Sequence, residues 1–384
     1  MTNTTKPTRL AKIWREIKRP FRRMKESLLR LAYRKAAKKR KVFMAEPEAT
    51  AFVVQSALGS YEFVEKLLES KPRCPYKDQE TWNAFFVTDP TQLKKLQDKL
   101  VAGLDELSHE VVNRYIARRL FASGFGAHST WNVISRWLGL VYLLDFQEQK
   151  RLISLGEAYK CPYKFPEHAY CCNEHMAVGF GLNQFPPEIQ RKVIGKDIID
   201  DGGFSGDSAM IFTEYDPRRV YTFEPNPDTI PAMKDNLAAN ATVLGGRKER
   251  IEIIPLALGK SKGTLTFFSE GEFDGGATTW SGGASGKIPI CVNVTSIDEF
   301  VKEQSLNVGL IKLDVEGAEY DTILGAQETI LKQKPLLIIS IYHTLRDFFE
   351  IKPLIESWGV GYKFEIRQHQ HPREPDNEFV LLAY

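Results

Sequence analysis

The chain of 384 residues is 43% apolar and 26% charged, the balance of a folded, water-soluble protein with room for two modest domains. Its five cysteines do not make a disulfide framework, it has no run of about 18 apolar residues to span a bilayer, and no signal-peptide core opens it; together these predict a cytoplasmic protein. The net charge of +3 hides an asymmetry: residues 1–43 hold 16 Lys and Arg against 2 acids, and the remainder holds 36 against 47. An anionic body repels phosphate, so nucleic acid is not an expected partner.

Three regions follow in chain order. In residues 1–43, Leu10, Ile13, Trp14, Ile17, Phe21, Met24, Leu28 and Leu31 recur at steps of three and four amid Lys and Arg. That pattern predicts a basic amphipathic helix, interrupted near Pro20, that suits an anionic membrane surface at the inner face. A solvated tail is the plainer alternative. Residues 44–185 read as mainly helical. "DPTQLKKLQDKLVAGLDELSHEVVNRYIARRLFASG" starts at Asp89-Pro90 and stops at Gly124, and "STWNVISRWLGLVYLLDFQEQKRLISLGEAY" carries the next helical pattern. Residues 186–384 alternate short apolar runs with helical patterns, which predicts a parallel α/β sheet. The runs are "DIID", "VYTFE", "IEIIPLAL", "GLIKLDV" and "LLIISIY", with "GTLTFFS" and "IPICVNV" as an inserted hairpin. A last strand returns through a polar turn and must be antiparallel to its neighbour. The fold class expected is a Rossmann-like class I methyltransferase sheet closed by a C-terminal antiparallel hairpin.

The run "IIDDGGFSGDSAMIF" reads as strand, glycine turn and helix. A dinucleotide site needs G-x-G-x-x-G and no nearby carboxylate, because pyrophosphate is an anion. Here Asp200 precedes Gly202, Gly203 and Gly206, and one glycine of that pattern is missing. An acid at that strand end suits a cationic ligand such as S-adenosylmethionine, which it would meet directly or through water. "VYTFEPNP" places Glu224 at the next strand end, where a carboxylate accepts hydrogen bonds from ribose hydroxyls. In "IKLDVEGAEYDTILGAQ", Asp314 and Glu316 crowd a strand end where ligands bind in such sheets, and Glu319 reads as pairing with a helix dipole. An NAD(P)-dependent oxidoreductase is the competing reading.

Taken in order, "IIDDGGFSGDSA", "VYTFEPNP", "LALGKSKGTLTF", "TSIDEF", "IKLDVEGAE" and "ISIYH" resemble the FkbM-type S-adenosylmethionine-dependent methyltransferases over about residues 195–384. The departure is Phe204, where the family often has Asn. The resemblance implies that Asp200, Gly202, Gly203, Phe204 and Gly206 hold the methionine part of the cofactor, with Asp207 beside them. It implies Glu224 on the ribose, Ala257 and Leu258 near the adenine, and Asp314 and Glu316 beside the transferable methyl. It also implies a hydroxyl-bearing acceptor, a glycan or small metabolite.

Transfer to a hydroxyl needs an acceptor held in line and a base for its proton. His343, after "IISIY", is the expected base, titrating near neutrality, with Asp314 or Glu316 sharing the role; a histidine bonded to a backbone carbonyl is the structural alternative. A Mg2+ ion on Asp314 and Glu316 is a variant of the same mechanism. "GEFDGGATTWSGGASGK" is expected to be an acceptor-side lid in which Trp280 stacks on a sugar. Cys161, His168, Cys171, Cys172 and His175 lack paired C-x-x-C spacing and are not expected to bind zinc. His369 and His371 are expected to be solvated in the last hairpin turn. Oligomeric state is not legible.

Overall fold

The computed structural model describes residues 90–123, 147–165, 173–269, 288–369 and 378–384. Residues 1–43, most of the second helical stretch, the segment with Trp280 expected to be a lid, and His168, Cys171, Cys172 and His371 lie outside the described residues.

Helices α1 (Pro90–Val101) and α2 (Glu106–Ser123) come first, then α3 (Gln147–Ala158) and α4 (Asn173–Ala177). Pro90 sits in the first turn, where its missing N–H costs nothing. Gly103, at φ +72°, breaks the expected continuous helix in two. The sheet region runs β1 (Asp197–Asp201), α5 (Asp207–Phe212), β2 (Arg219–Phe223), α6 (Thr229–Ala239), β3 (Ile251–Ile254), β4 (Ala257–Leu258), β5 (Gly263–Ser269) and β6 (Ile288–Thr295). It continues with α7 (Ile297–Gln304), β7 (Val308–Leu313), α8 (Glu319–Leu324), α9 (Gln327–Gln333), β8 (Leu336–Ser340), α10 (Leu345–Ser357), β9 (Phe364–Gln368) and β10 (Phe379–Ala383).

The main sheet has the order β3-β2-β1-β7-β8-β10-β9. Its first five strands are parallel, and β10 lies antiparallel between β8 and β9. The order reverses between β1 and β7, and in open α/β sheets the crevice at that point receives the ligand. This is the Rossmann-like methyltransferase architecture with its terminal hairpin. One expectation changes in detail: "IEIIPLAL" is two strands. Pro255 cannot donate to a ladder; β3 ends before it, and β4 joins a second sheet of order β4-β6-β5. The inserted hairpin is β5 and β6, paired antiparallel.

Strands buried on both faces read as continuous apolar runs, and β7 and β8 are buried throughout. Phe223 and Tyr221 of β2 pack edge-on against Phe300 of α7. Tyr115 of α2 packs on Phe348 and Phe379, ring centroids 4.6 and 4.4 Å apart, so the helices before the sheet share its core. Polar contacts tie the same junction. Ser108 Oγ accepts the Ile366 N–H of edge strand β9 at 2.8 Å, and Arg367 bridges Asp105 and Glu365 at 2.7 Å each. A helix capping an edge strand in this way removes a free pairing edge. Among the described residues, no helix is long and apolar enough to cross a membrane.

Candidate active site

β1 delivers the chain into a turn whose conformation only glycine allows. Gly202 has φ +85°, and a Cβ there would lie 1.9 Å from the Asp314 carbonyl oxygen. Gly203 passes equally close to Thr222, and Gly206 at φ +79° caps α5. Phe204 adopts φ +39°, a left-handed position that asparagine takes more readily than phenylalanine.

Beneath the turn lies a residue that sequence reasoning passed over. Lys312 of β7 is buried, and its ammonium donates to the Gly202 carbonyl at 3.0 Å and the Asp201 carbonyl at 3.3 Å. It also pairs with Asp200 at 3.4 Å. From the sequence, Asp200 is expected to meet the ligand directly or through water. It is fully buried, and its other oxygen accepts from Ser208 and Thr222 hydroxyls at 2.9 Å each. Asp200 therefore fastens β1, β2, β7 and α5 together. Asp201 is also buried, and burial, outweighing nearby Lys312, pushes its carboxyl well above the usual range. Asp207 accepts the Ser208 N–H at 2.9 Å and is likewise raised by burial.

Glu224 stands at the end of β2. One oxygen accepts the Asn226 N–H at 2.8 Å and the other the Phe204 N–H at 3.1 Å, so strand and glycine turn are joined through its carboxylate. Each carboxylate oxygen has a second lone pair, which suits a pair of adjacent hydroxyls. Burial, partly offset by those amides, pushes its pKa up to about 7.

The ends of β7 and β8 bring Asp314, Glu316, Glu319 and His343 together. His343 Nδ1 lies 2.6 Å from Glu319 Oε1, while Nε2 lies 3.7 Å from both Asp314 Oδ1 and Glu316 Oε1. Glu319 is fully buried, and its oxygens also accept the Val315 and Gly317 N–H groups at 2.8 and 2.9 Å. Its role is thus larger than the helix-dipole pairing expected. It fixes the His343 ring, and the partner is a carboxylate, not a backbone carbonyl. Near-neutral titration of His343 is corrected as well: burial disfavours its charge, but Glu319, Glu316 and Asp314 outweigh burial and push its pKa well up. Glu316 itself sits at φ +55°, a strained setting for a non-glycine residue. Tyr342 donates toward Asp314 at 3.4 Å and Glu378 at 3.3 Å, which links the cluster to the terminal hairpin.

The other residues singled out in the sequence have these surroundings. Leu258 is buried in the main core beside Phe300, and its carbonyl accepts the Thr322 hydroxyl at 3.2 Å. Ala257 is buried next to it. His369 is not solvated: it is buried, 2.6 Å from Gln184, and burial together with His175 lowers its pKa to about 3. Cys161 contacts Met176 Sδ at 3.4 Å, and His175 turns to the His369 carbonyl at 2.9 Å.

Residues 200–364 match the model of the methyltransferase FkbM domain. That segment belongs to the FkbM methyltransferase family. The curated 2-O-methyltransferase NoeI of Sinorhizobium fredii (strain NBRC 101917 / NGR234) is 28% identical over 156 residues, 36% of this chain and 60% of NoeI. A crystal structure of the FkbM methyltransferase of Methylobacillus flagellatus KT aligns with 79% of this chain and 60% of its own, at 18% identity and a TM-score of 0.49. Precorrin-6y C5,15-methyltransferase of Geobacter metallireducens GS-15 aligns at 12% identity and a TM-score of 0.35, over 58% of this chain and 94% of its own. This chain therefore spans 60% of the length of NoeI and of the Methylobacillus protein.

The donor set of this FkbM domain fits the family's cofactor. Glu224, Asp207 and Asp314 border the glycine turn, and the Lys312 ammonium is turned inward onto Asp201 and Gly202 carbonyls. A cationic sulfonium and ammonium suit such an edge, and a pyrophosphate does not. The family's cofactor is S-adenosylmethionine.

Proposed function

We propose that the chain is an O-methyltransferase acting on a hydroxyl of a sugar, a glycan or a related metabolite. The observation carrying this reading is the cluster at the β7 and β8 ends: two half-buried carboxylates and an oriented histidine, one short turn from the glycine loop. NoeI is a 2-O-methyltransferase, which supports oxygen as the acceptor atom.

S-adenosylmethionine, when bound, supplies an already activated methyl and departs as a neutral thioether. The chain's own work is placement and proton handling. In this reading Glu224 receives the ribose hydroxyls and the Gly202–Gly206 turn lets the backbone approach the methionine part. Asp314 and Glu316 meet the acceptor hydroxyl, and one of them takes its proton as the carbon–oxygen bond forms. His343 stands beside them, its ring held by Glu319.

The test is transfer of an isotopically labelled methyl to matched panels of sugars and amines. Label in an alkali-stable ether on a hydroxyl acceptor is the expected result. Label on amines alone would overturn oxygen as the target. We further propose that residues 1–43 bring the enzyme to an anionic membrane, in keeping with their charge.

A further inference from the structure

One imidazole nitrogen at the end of β8 has no hydrogen-bond partner. His343 Nε2 is buried, and its side chain is only 6% exposed. Its direction is set from behind: the Nδ1–H donates to Glu319, whose oxygens are pinned by two backbone amides. Nε2 therefore points between Asp314 Oδ1 and Glu316 Oε1, 3.7 Å from each.

That spacing is too long for a good hydrogen bond. It is close to what two donors sharing one cation adopt, since ligand atoms about 2.1 Å from an ion stand roughly 3–3.6 Å apart. The carboxylates are one-third exposed, so an ion between them would keep open positions on the solvent side. A carboxylate behind the far nitrogen of a histidine is also the arrangement that orients metal-bound imidazoles.

We propose that Asp314 and His343 Nε2 hold a divalent transition-metal cation, Mn2+ or Zn2+, with Glu319, the third member of this close-set group, as the positioning carboxylate and Glu316 at its edge. An imidazole in the donor set sets magnesium aside, because Mg2+ demands oxygen ligands. This replaces the Mg2+ expected on Asp314 and Glu316 alone. The site stands on geometry; its use rests on the methyltransferase reading, in which the ion would hold the acceptor hydroxyl and ease loss of the proton that a neighbouring carboxylate takes.

The test uses the full chain, stripped with chelator and dialysed, titrated with Mn2+ alone and followed by calorimetry and electron paramagnetic resonance. Micromolar binding is expected, at least tenfold tighter than for Mg2+, with nitrogen hyperfine coupling from one imidazole. His343→Gln should abolish that coupling and weaken Mn2+ at least tenfold; Asp314→Asn should weaken Mn2+ to a similar degree. Glu319→Gln should weaken it by about 10-fold or more with the coupling altered. Circular dichroism and S-adenosylmethionine binding serve as controls for folding. Mn2+ binding no tighter than Mg2+, or binding unchanged in His343→Gln, overturns the site. Full methyl transfer in chelator, with Mn2+ binding intact, overturns its catalytic use. Failure of S-adenosylmethionine to bind would count against the proposed function and leave the Mn2+ result standing.

Discussion

Lys312 shows how one side chain can hold a glycine turn. Its charge lies buried among Asp200 and two carbonyls, so truncation strands a buried carboxylate. Lys312→Met should cost about 3–5 kcal/mol in chemical denaturation, and adding Asp200→Asn should restore part of it. Strict additivity of the two changes would show that the pair is not coupled. Glu224 makes a pH prediction. Its carboxyl is raised to about 7, so at pH 6 it is mostly protonated and at pH 8 mostly ionised. If the ionised form receives the ribose, cofactor affinity should weaken about tenfold from pH 8 to pH 6, and Glu224→Gln should flatten that dependence. The stability sign runs the other way. A raised carboxyl favours the fold fully below about pH 4.5, and the contribution fades as pH climbs through 7. Neither Lys312 nor Glu319 was legible in the sequence. A lysine inside an apolar run and a glutamate at a helix start are common surface features, and only the packing of β1 on β7 and of α8 on α10 buries them.

At the scale of elements, the strands were legible because each apolar run ends in turn chemistry. The break at Pro255 was not, since both halves of "IEIIPLAL" carry the same pattern and only the partner strand decides the sheet. The glycine turn was legible in type, yet its closeness to Asp314 depends on β7 lying next to β1. Cap chemistry offers a local check. Ser296 accepts the Glu299 N–H at 3.2 Å at the start of α7, with Glu299 reaching back toward its hydroxyl. Ser296→Ala should lower stability by about 1 kcal/mol in thermal or denaturant unfolding without changing cofactor affinity. A loss under a few tenths of a kcal/mol would mean the cap contributes little. His369 was misjudged for a related reason: a histidine beside a polar turn reads as solvated, but β9 carries it under the 3-10 turn at Gln184.

For the whole molecule, the docking of α1 and α2 on β9 and α10 joins the helical region to the sheet. Asp105 is central to it. Burial resists its ionisation, but hydrogen bonds from Arg367 and Ser108 outweigh that and hold its carboxyl well below the usual range. Such a group stabilises the fold above its unfolded value near 4, and that contribution is lost as pH falls. Asp105→Ala should cost about 2 kcal/mol at pH 7 and should lose less than the native chain between pH 5 and pH 3. Equal acid sensitivity in both would remove Asp105 from the account. The basic segment makes a separate prediction: the full chain should sediment with anionic phospholipid vesicles at low salt, and a chain lacking residues 1–43 should not. All of this bears on one claim, that the FkbM domain binds S-adenosylmethionine through Glu224 and the glycine turn. Calorimetric titration of the full chain with that cofactor, beside Glu224→Ala and an NAD titration, tests it directly. The account predicts saturable binding of S-adenosylmethionine that weakens at least tenfold in Glu224→Ala, and no heat with NAD. Binding of NAD with none of S-adenosylmethionine would contradict it.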